Sequence, residues 1–157
     1  MGERLKLRFL AHRSVTLELA TRIPDDRGDF RPWSEAMTVA ALLRHMAQSH
    51  HTFSRVAAGE QPTPPPTDPA TLEEARKRLA EYTTQDAEIL AGLTREALQR
   101  TVTFHDRSFQ VREAVSLGLE HEVHHKGQLF VYARMLGVDV PSWREYLFGD
   151  LRGGGVR

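Results

Sequence analysis

Apolar side chains recur along this chain at steps of three and four residues, the spacing of one face of an α-helix. The pattern predicts a first helix from about Glu3 to Arg22, with Leu7, Leu10, Ser14 and Leu17 on one face. Ile23-Pro24-Asp25-Asp26 and Gly28 break it, and Phe30 to Met37 form a connector containing Pro32 and Trp33. Thr38 is an N-cap for a second helix reaching about Ala58, with Leu42, His45, Ser49, Phe53 and Val56 on its core face and Gly59 as its stop. Pro62-Thr63-Pro64-Pro65-Pro66 cannot be helical, because proline lacks the amide hydrogen and its ring clashes with the preceding turn. That stretch reads as a stiff surface crossover. A third helix runs from about Thr71 to Ala91, opened by a Thr71/Glu74 capping box and ended by Gly92. Its stripe is Leu72, Ala75, Leu79, Tyr82 and Ile89.

Thr101-Val102-Thr103-Phe104 is locally extended, and His105-Asp106-Arg107-Ser108 reads as a turn. The longest helix follows, from about Gln110 to Leu136, stopping at Gly137. A short last helix is expected from Ser142, with Glu145 three residues on, and Trp143, Tyr146, Leu147 and Phe148 are expected to pack on the bundle. Four long helices with one extended crossover between the second and third make an all-α chain, a four-helix bundle. The expected organisation is one domain over residues 1–150, then a flexible tail over residues 151–157 containing Gly153-Gly154-Gly155.

Composition narrows the chemistry. The 157 residues suit one sizeable core. Lys plus Arg and Asp plus Glu each number 21, so no basic excess points to nucleic acid. There is no cysteine, so any metal must be held by nitrogen or oxygen, and no protein thiol can act as nucleophile. No run of about 18 apolar residues is present to span a membrane. The N-terminal residues alternate charges without an apolar signal core, and a cytoplasmic location is expected.

The eight histidines are then the residues to sort. The fourth helix carries His121-Glu122-Val123-His124-His125-Lys126-Gly127-Gln128. At about 100° per residue, His125 falls about 40° from His121, with Gln128 and Tyr132 close by on the same side. On this wheel His121 and His125 stand at the centre of the apolar face, His124 and Glu122 on its flanks, and Lys126 on the far side. Two buried imidazoles are costly unless satisfied. One metal ion satisfies both, and hydrogen bonds to core neighbours are the alternative. A third ligand should come from a facing helix. His45 shares the second helix's core face, whereas His50 and His51 fall toward its sides and are expected at the surface or rim. His12 and His105 show no comparable placement. The expected metal ligands are His45, His121 and His125, which leave open coordination positions as a catalytic site does.

The same stretch spells H-E-x-x-H, in which Glu122 would activate a metal-bound water. The extended protease form is absent, since Gln128 follows Gly127. Glu122 is the candidate base in a hydrolase reading, and Gln128, one turn beyond His125, is a second candidate for a catalytic role.

His121 to Leu129, together with His45 in a leucine-rich helix over Thr38 to Met46, resembles the DinB superfamily, whose most recognisable motif is histidine-x-x-histidine-histidine-basic-glycine-glutamine. Trp33 and the Val102 to Arg107 turn also fit, and Lys126 stands where arginine is more usual. The resemblance implies an up-down four-helix bundle, often a homodimer. It implies a divalent metal, usually zinc or nickel, on His45, His121 and His125, with Gln128 placed to bond a ligand or bound water. It also implies a stress-response setting, and for some relatives a thiol-dependent transferase or isomerase activity. There a low-molecular-weight thiol such as bacillithiol or mycothiol is the cosubstrate. The expected function is a metal-dependent S-transferase acting on small electrophiles, without a nucleic-acid or membrane partner. The alternatives are a metal-dependent hydrolase and a non-catalytic metal or small-ligand binder.

Overall fold

A computed structural model of the chain describes residues 1–62, 64–65, 71–104 and 106–142. The expected last helix from Ser142, its aromatic cluster and the tail over 151–157 lie outside these residues. Four long helices dominate: α1 (Gly2–Arg22), α2 (Val39–Ala58), α3 (Leu72–Gly92) and α4 (Val111–Met135). Their ends follow from local chemistry. The Thr38 hydroxyl accepts from the Ala41 amide at 3.1 Å and starts α2. Gly59, at φ +85°, closes α2 in the left-handed conformation that a side chain disfavours. The Thr71/Glu74 capping box opens α3 as the sequence predicts, and a second box, Gln110 with Glu113, opens α4.

Between α3 and α4 lies a hairpin of β1 (Thr101–Phe104) and β2 (Arg107–Gln110). The strands pair antiparallel, with Thr101 opposite Gln110 and Phe104 opposite Arg107. Asp106 sits in the turn at φ +61°, a conformation that aspartate tolerates better than most residues.

The core is divided into two apolar halves. One gathers Leu19, Leu42, Leu43, Met46, Leu79, Leu129 and Tyr132. The other gathers Phe9, Ala57, Leu90, Val111, Val115 and Leu119. Chain order through these halves shows that α1 and α4 run one way and α2 and α3 the other. The connection from α2 to α3 therefore has to return the chain along the bundle. Between the halves every helix contributes buried polar groups: Arg13 and Thr16 from α1, His50 and His51 from α2, Thr83 and Asp86 from α3, and Glu122 from α4.

That polar layer corrects three expectations. The buried face of α1 carries Phe9, Arg13, Thr16 and Ala20, while Leu7 is exposed, because Arg13 finds a carboxylate inside the core. His50 and His51 are not rim residues; both are buried, because Asp86 accepts from their Nδ1 atoms at 3.1 and 2.8 Å. Phe9 stacks on His50 and Tyr82 on His51. Burial works against ionising Asp86, but the two imidazole donors outweigh it and hold its carboxyl below the usual range. The third correction concerns α4. Its buried centre is Glu122, with Gly118, Leu129 and Ala133, so the helix is turned about a quarter revolution from the predicted orientation.

Candidate metal site

The quarter turn decides what the histidines can do. Glu122 is fully buried, its Oε2 accepting from Arg13 Nη2 at 2.7 Å and its Oε1 from the Thr16 hydroxyl at 2.8 Å. Burial opposes its ionisation, yet the Arg13 guanidinium and the two hydrogen bonds keep its carboxyl below the usual range. Lys126, expected on the far side, is also buried, and its Nζ donates to His12 Nδ1 at 2.9 Å. With Glu122 turned inward, His121 and His125 stand one residue and three residues from it along the helix, at the edge of the core rather than its centre.

There they meet His45 from α2. His45 Nε2 lies 3.0 Å from His121 Nε2 and 3.1 Å from His125 Nε2. Among the described residues these three form the group of side chains whose donor atoms could hold one metal ion. A neutral imidazole has one N–H and one lone pair. Three Nε2 atoms this close cannot all be satisfied by one another, since at least two of them present like groups, N–H or lone pair, to the same small space. A cation at their centre satisfies all three, and the separations suit neighbouring nitrogens bonded to one ion at about 2.0–2.1 Å.

Electrostatics favours lone pairs over protons here. Desolvation, then the neighbouring imidazoles, pushes His121 down to about 4. Desolvation also lowers His45 and His125. All three rings are therefore neutral at pH 7, the form that ligates. Gln128 Oε1 accepts from His125 Nδ1 at 2.7 Å, which leaves the lone pair of that ring on Nε2. His121 Nδ1 is buried and has no hydrogen-bond partner among the described residues. His124 is exposed, with its Nε2 3.2 Å from Gln128 Nε2, and stands outside the trio as the helical wheel predicts.

The trio opens onto a cleft of about 560 Å³. His45 and His121 form part of its lining, with Ser49, Thr52 and Phe53 from α2, Phe104 from β1, and Pro62, Pro64 and Pro65. Pro62, Pro64 and Pro65, from the stretch read as a crossover, thus also form a wall of the site. Sequence periodicity placed Phe53 among core residues and assigned Thr52 and Phe104 no role in a site. Their shared wall arises from residues far apart in the chain, which no local pattern records.

The DinB family profile matches residues 3–152. The chain belongs to the DinB family. The uncharacterized protein YjoA of Bacillus subtilis (strain 168) is 34% identical over 142 residues, which cover 87% of this chain and 92% of that protein. The crystal structure of that DinB-like protein superposes with a TM-score of 0.78 at 33% identity, covering 89% of this chain and 96% of its own. A DinB-like protein from Bacillus cereus shares the fold at a TM-score of 0.70 and 18% identity, covering 83% and 89%. DinB membership accords with the bundle and with the three-histidine cluster that could hold a metal. Among the described residues, no helix of this DinB-family chain is long and apolar enough to cross a membrane.

Proposed function

We propose that this DinB-family protein binds one divalent metal ion, zinc or nickel in the first instance, through His45, His121 and His125. In this reading it is a metal-dependent enzyme that joins a low-molecular-weight thiol to a small electrophile in the cleft. The observation that carries the reading is the convergence of three neutral Nε2 atoms, 3.0 and 3.1 Å from the central one, at the edge of an open cleft. An ion there supplies Lewis acidity that lowers the pKa of a bound thiol or water.

The chain's own residues divide the remaining work. His45, His121 and His125 present lone pairs, Gln128 fixes the His125 tautomer, and the Phe53, Phe104 and proline walls restrict water around the reacting groups. The chain has no cysteine, so the nucleophilic sulfur must arrive with a cosubstrate. In the transfer the thiol proton goes to solvent, a sulfur–carbon bond forms, and the leaving group departs with its electron pair. Hydrolysis with Glu122 as base finds less support, because both of its carboxylate oxygens are engaged inside the core by Arg13 and Thr16.

Elemental analysis of the purified protein, and of His45→Ala and His121→Ala, tests the metal. Each variant should lose more than the roughly 10–100-fold in affinity that removal of a ligand's hydrogen-bond partner costs. Metal-loaded protein with a thiol and monochlorobimane then tests the transfer, through release of chloride and a rise in fluorescence. Stoichiometric metal without a rate above background across the common thiols leaves a non-catalytic binder. No metal in the wild type overturns the reading altogether.

A further inference from the structure

Among the described residues, the side chains lining the cleft beside the histidine trio carry no formal charge. None of its described lining residues is Lys, Arg, Asp or Glu. Phe53 and Phe104 meet edge-on, with ring centroids 6.3 Å apart and planes at 62°, and Pro62, Pro64 and Pro65 extend the apolar wall. Ser49 and Thr52 offer hydroxyls on the α2 side. A separate groove shares Pro62 and Phe104 with the cleft, and its charged residues are engaged elsewhere. Arg100 Nη2 donates to the Ala57 carbonyl at 3.0 Å, and Arg55 Nε pairs with Glu60 at 2.7 Å.

We infer that the cleft binds an uncharged ligand with an aromatic or similarly flat apolar body, seated against Phe53, Phe104 and the prolines with its reactive end toward His45 and His121. In the metal-free protein a carboxylate, phosphate or sulfonate seated against Phe53 and Phe104 would leave water without meeting a counter-charge among the described lining residues, which is unfavourable. An apolar ring would gain burial and edge-to-face contacts. The volume is in the range of pockets that enclose ligands of drug-like size, where a few polar groups set orientation. Calling this ligand the electrophilic substrate rests on the metal-dependent reading above. Its binding is separable from that reading.

The test uses two fluorescent probes with the same body and different charge. N-phenyl-1-naphthylamine is neutral, and 8-anilinonaphthalene-1-sulfonate adds one sulfonate. Both are titrated into the full chain, once stripped with a chelator and once loaded with zinc. In the stripped preparation the neutral probe should bind at least tenfold more tightly than the sulfonate, and zinc, a cation at the end of the cleft, should narrow that preference. Phe53→Ala and Phe104→Ala should each weaken the neutral probe fivefold or more, with helicity by circular dichroism unchanged. Thr52→Lys, which places a cation on the wall without removing an aromatic ring, should shift the preference toward the sulfonate by tenfold or more. Equal or tighter binding of the sulfonate by the stripped wild type overturns the inference. So does neutral-probe binding that is indifferent to all three substitutions. Neutral-probe binding with the stated preferences by a protein that takes up no metal supports the cleft assignment while refuting the metal reading.

Discussion

Gln128 and Glu122 show how differently two polar side chains on one helix serve the histidines. Gln128 accepts from His125 Nδ1 and so selects which nitrogen of that ring faces His45. Glu122 touches none of the three through its carboxylate. It locks onto Arg13, 109 residues earlier in the chain, and onto Thr16. That pair pins the rotation of α4, and the rotation brings His121 and His125 to His45, with His121 on the cleft wall. Removing the carboxylate charge leaves Arg13 buried and uncompensated. Glu122→Gln should therefore cost about 3–5 kcal/mol of stability, the usual consequence of breaking a buried ion pair. Urea unfolding of the metal-free protein measures it. A loss under about 1 kcal/mol would mean that the pair does not carry the packing assigned to it here.

Helix contacts then set how closely the histidines approach. α2 and α4 cross near Gly118, where an added Cβ would sit 3.1 Å from Phe53 Cβ and 3.6 Å from His50 Cδ2. The two helices come together because this position has no side chain. Gly118→Ala should destabilise the protein by about 1–3 kcal/mol through overpacking. It should also lower metal affinity, since α4 moves away from His45 while His121 and His125 stay intact. Thermal unfolding and competition with a chelating dye read the two effects separately. A variant with wild-type stability and affinity would show that the helices can absorb the methyl without separating. Much of the element level was legible beforehand. The Thr38 cap, the Thr71/Glu74 box and the stop at Gly59 are local features, and each marks a helix end in the structure.

For the whole molecule, the polar layer between two apolar halves makes stability depend on pH. His45, His121 and His125 are held below their ordinary values by desolvation, His121 to about 4. The unfolded chain takes up protons at those sites near pH 6.5, before the folded protein does. Their effect on stability is therefore absent above that pH and becomes a loss as pH falls from about 6.5 toward 4. Asp86 and Glu122 are depressed in the folded state, so their contribution is present above the unfolded carboxylate values of about 4 and is lost as pH falls through the lower folded values. Both groups act in the same direction. The urea midpoint of the chelator-treated protein should decline below pH 6.5 and drop further below pH 4. His121→Gln should flatten the first decline and leave the second. A midpoint that is constant between pH 7 and pH 4.5 would contradict the neutral, desolvated trio.

By itself the sequence determined the four helices, the N-terminal caps of α2 and α3, the extended segment over Thr101–Phe104 and the singling out of His45, His121 and His125. These depend on local periodicity, capping chemistry and the spacing of like side chains, which are present in any short window of the chain. It did not determine the rotation of α4, the burial of Lys126, or the interior places of Arg13, His50, His51 and Asp86. A wheel treats a charged or polar residue as outward because burial without a partner is costly. Here the partners lie 35, 36 and 109 residues away, and they remove that cost only once the bundle has assembled. The cleft was hidden for the same reason: α2, the proline crossover and β1 form its walls only in three dimensions. The tertiary structure thus kept the three histidines that the sequence selected and moved them from the centre of the core to its open edge. There their lone pairs converge beside an open cleft.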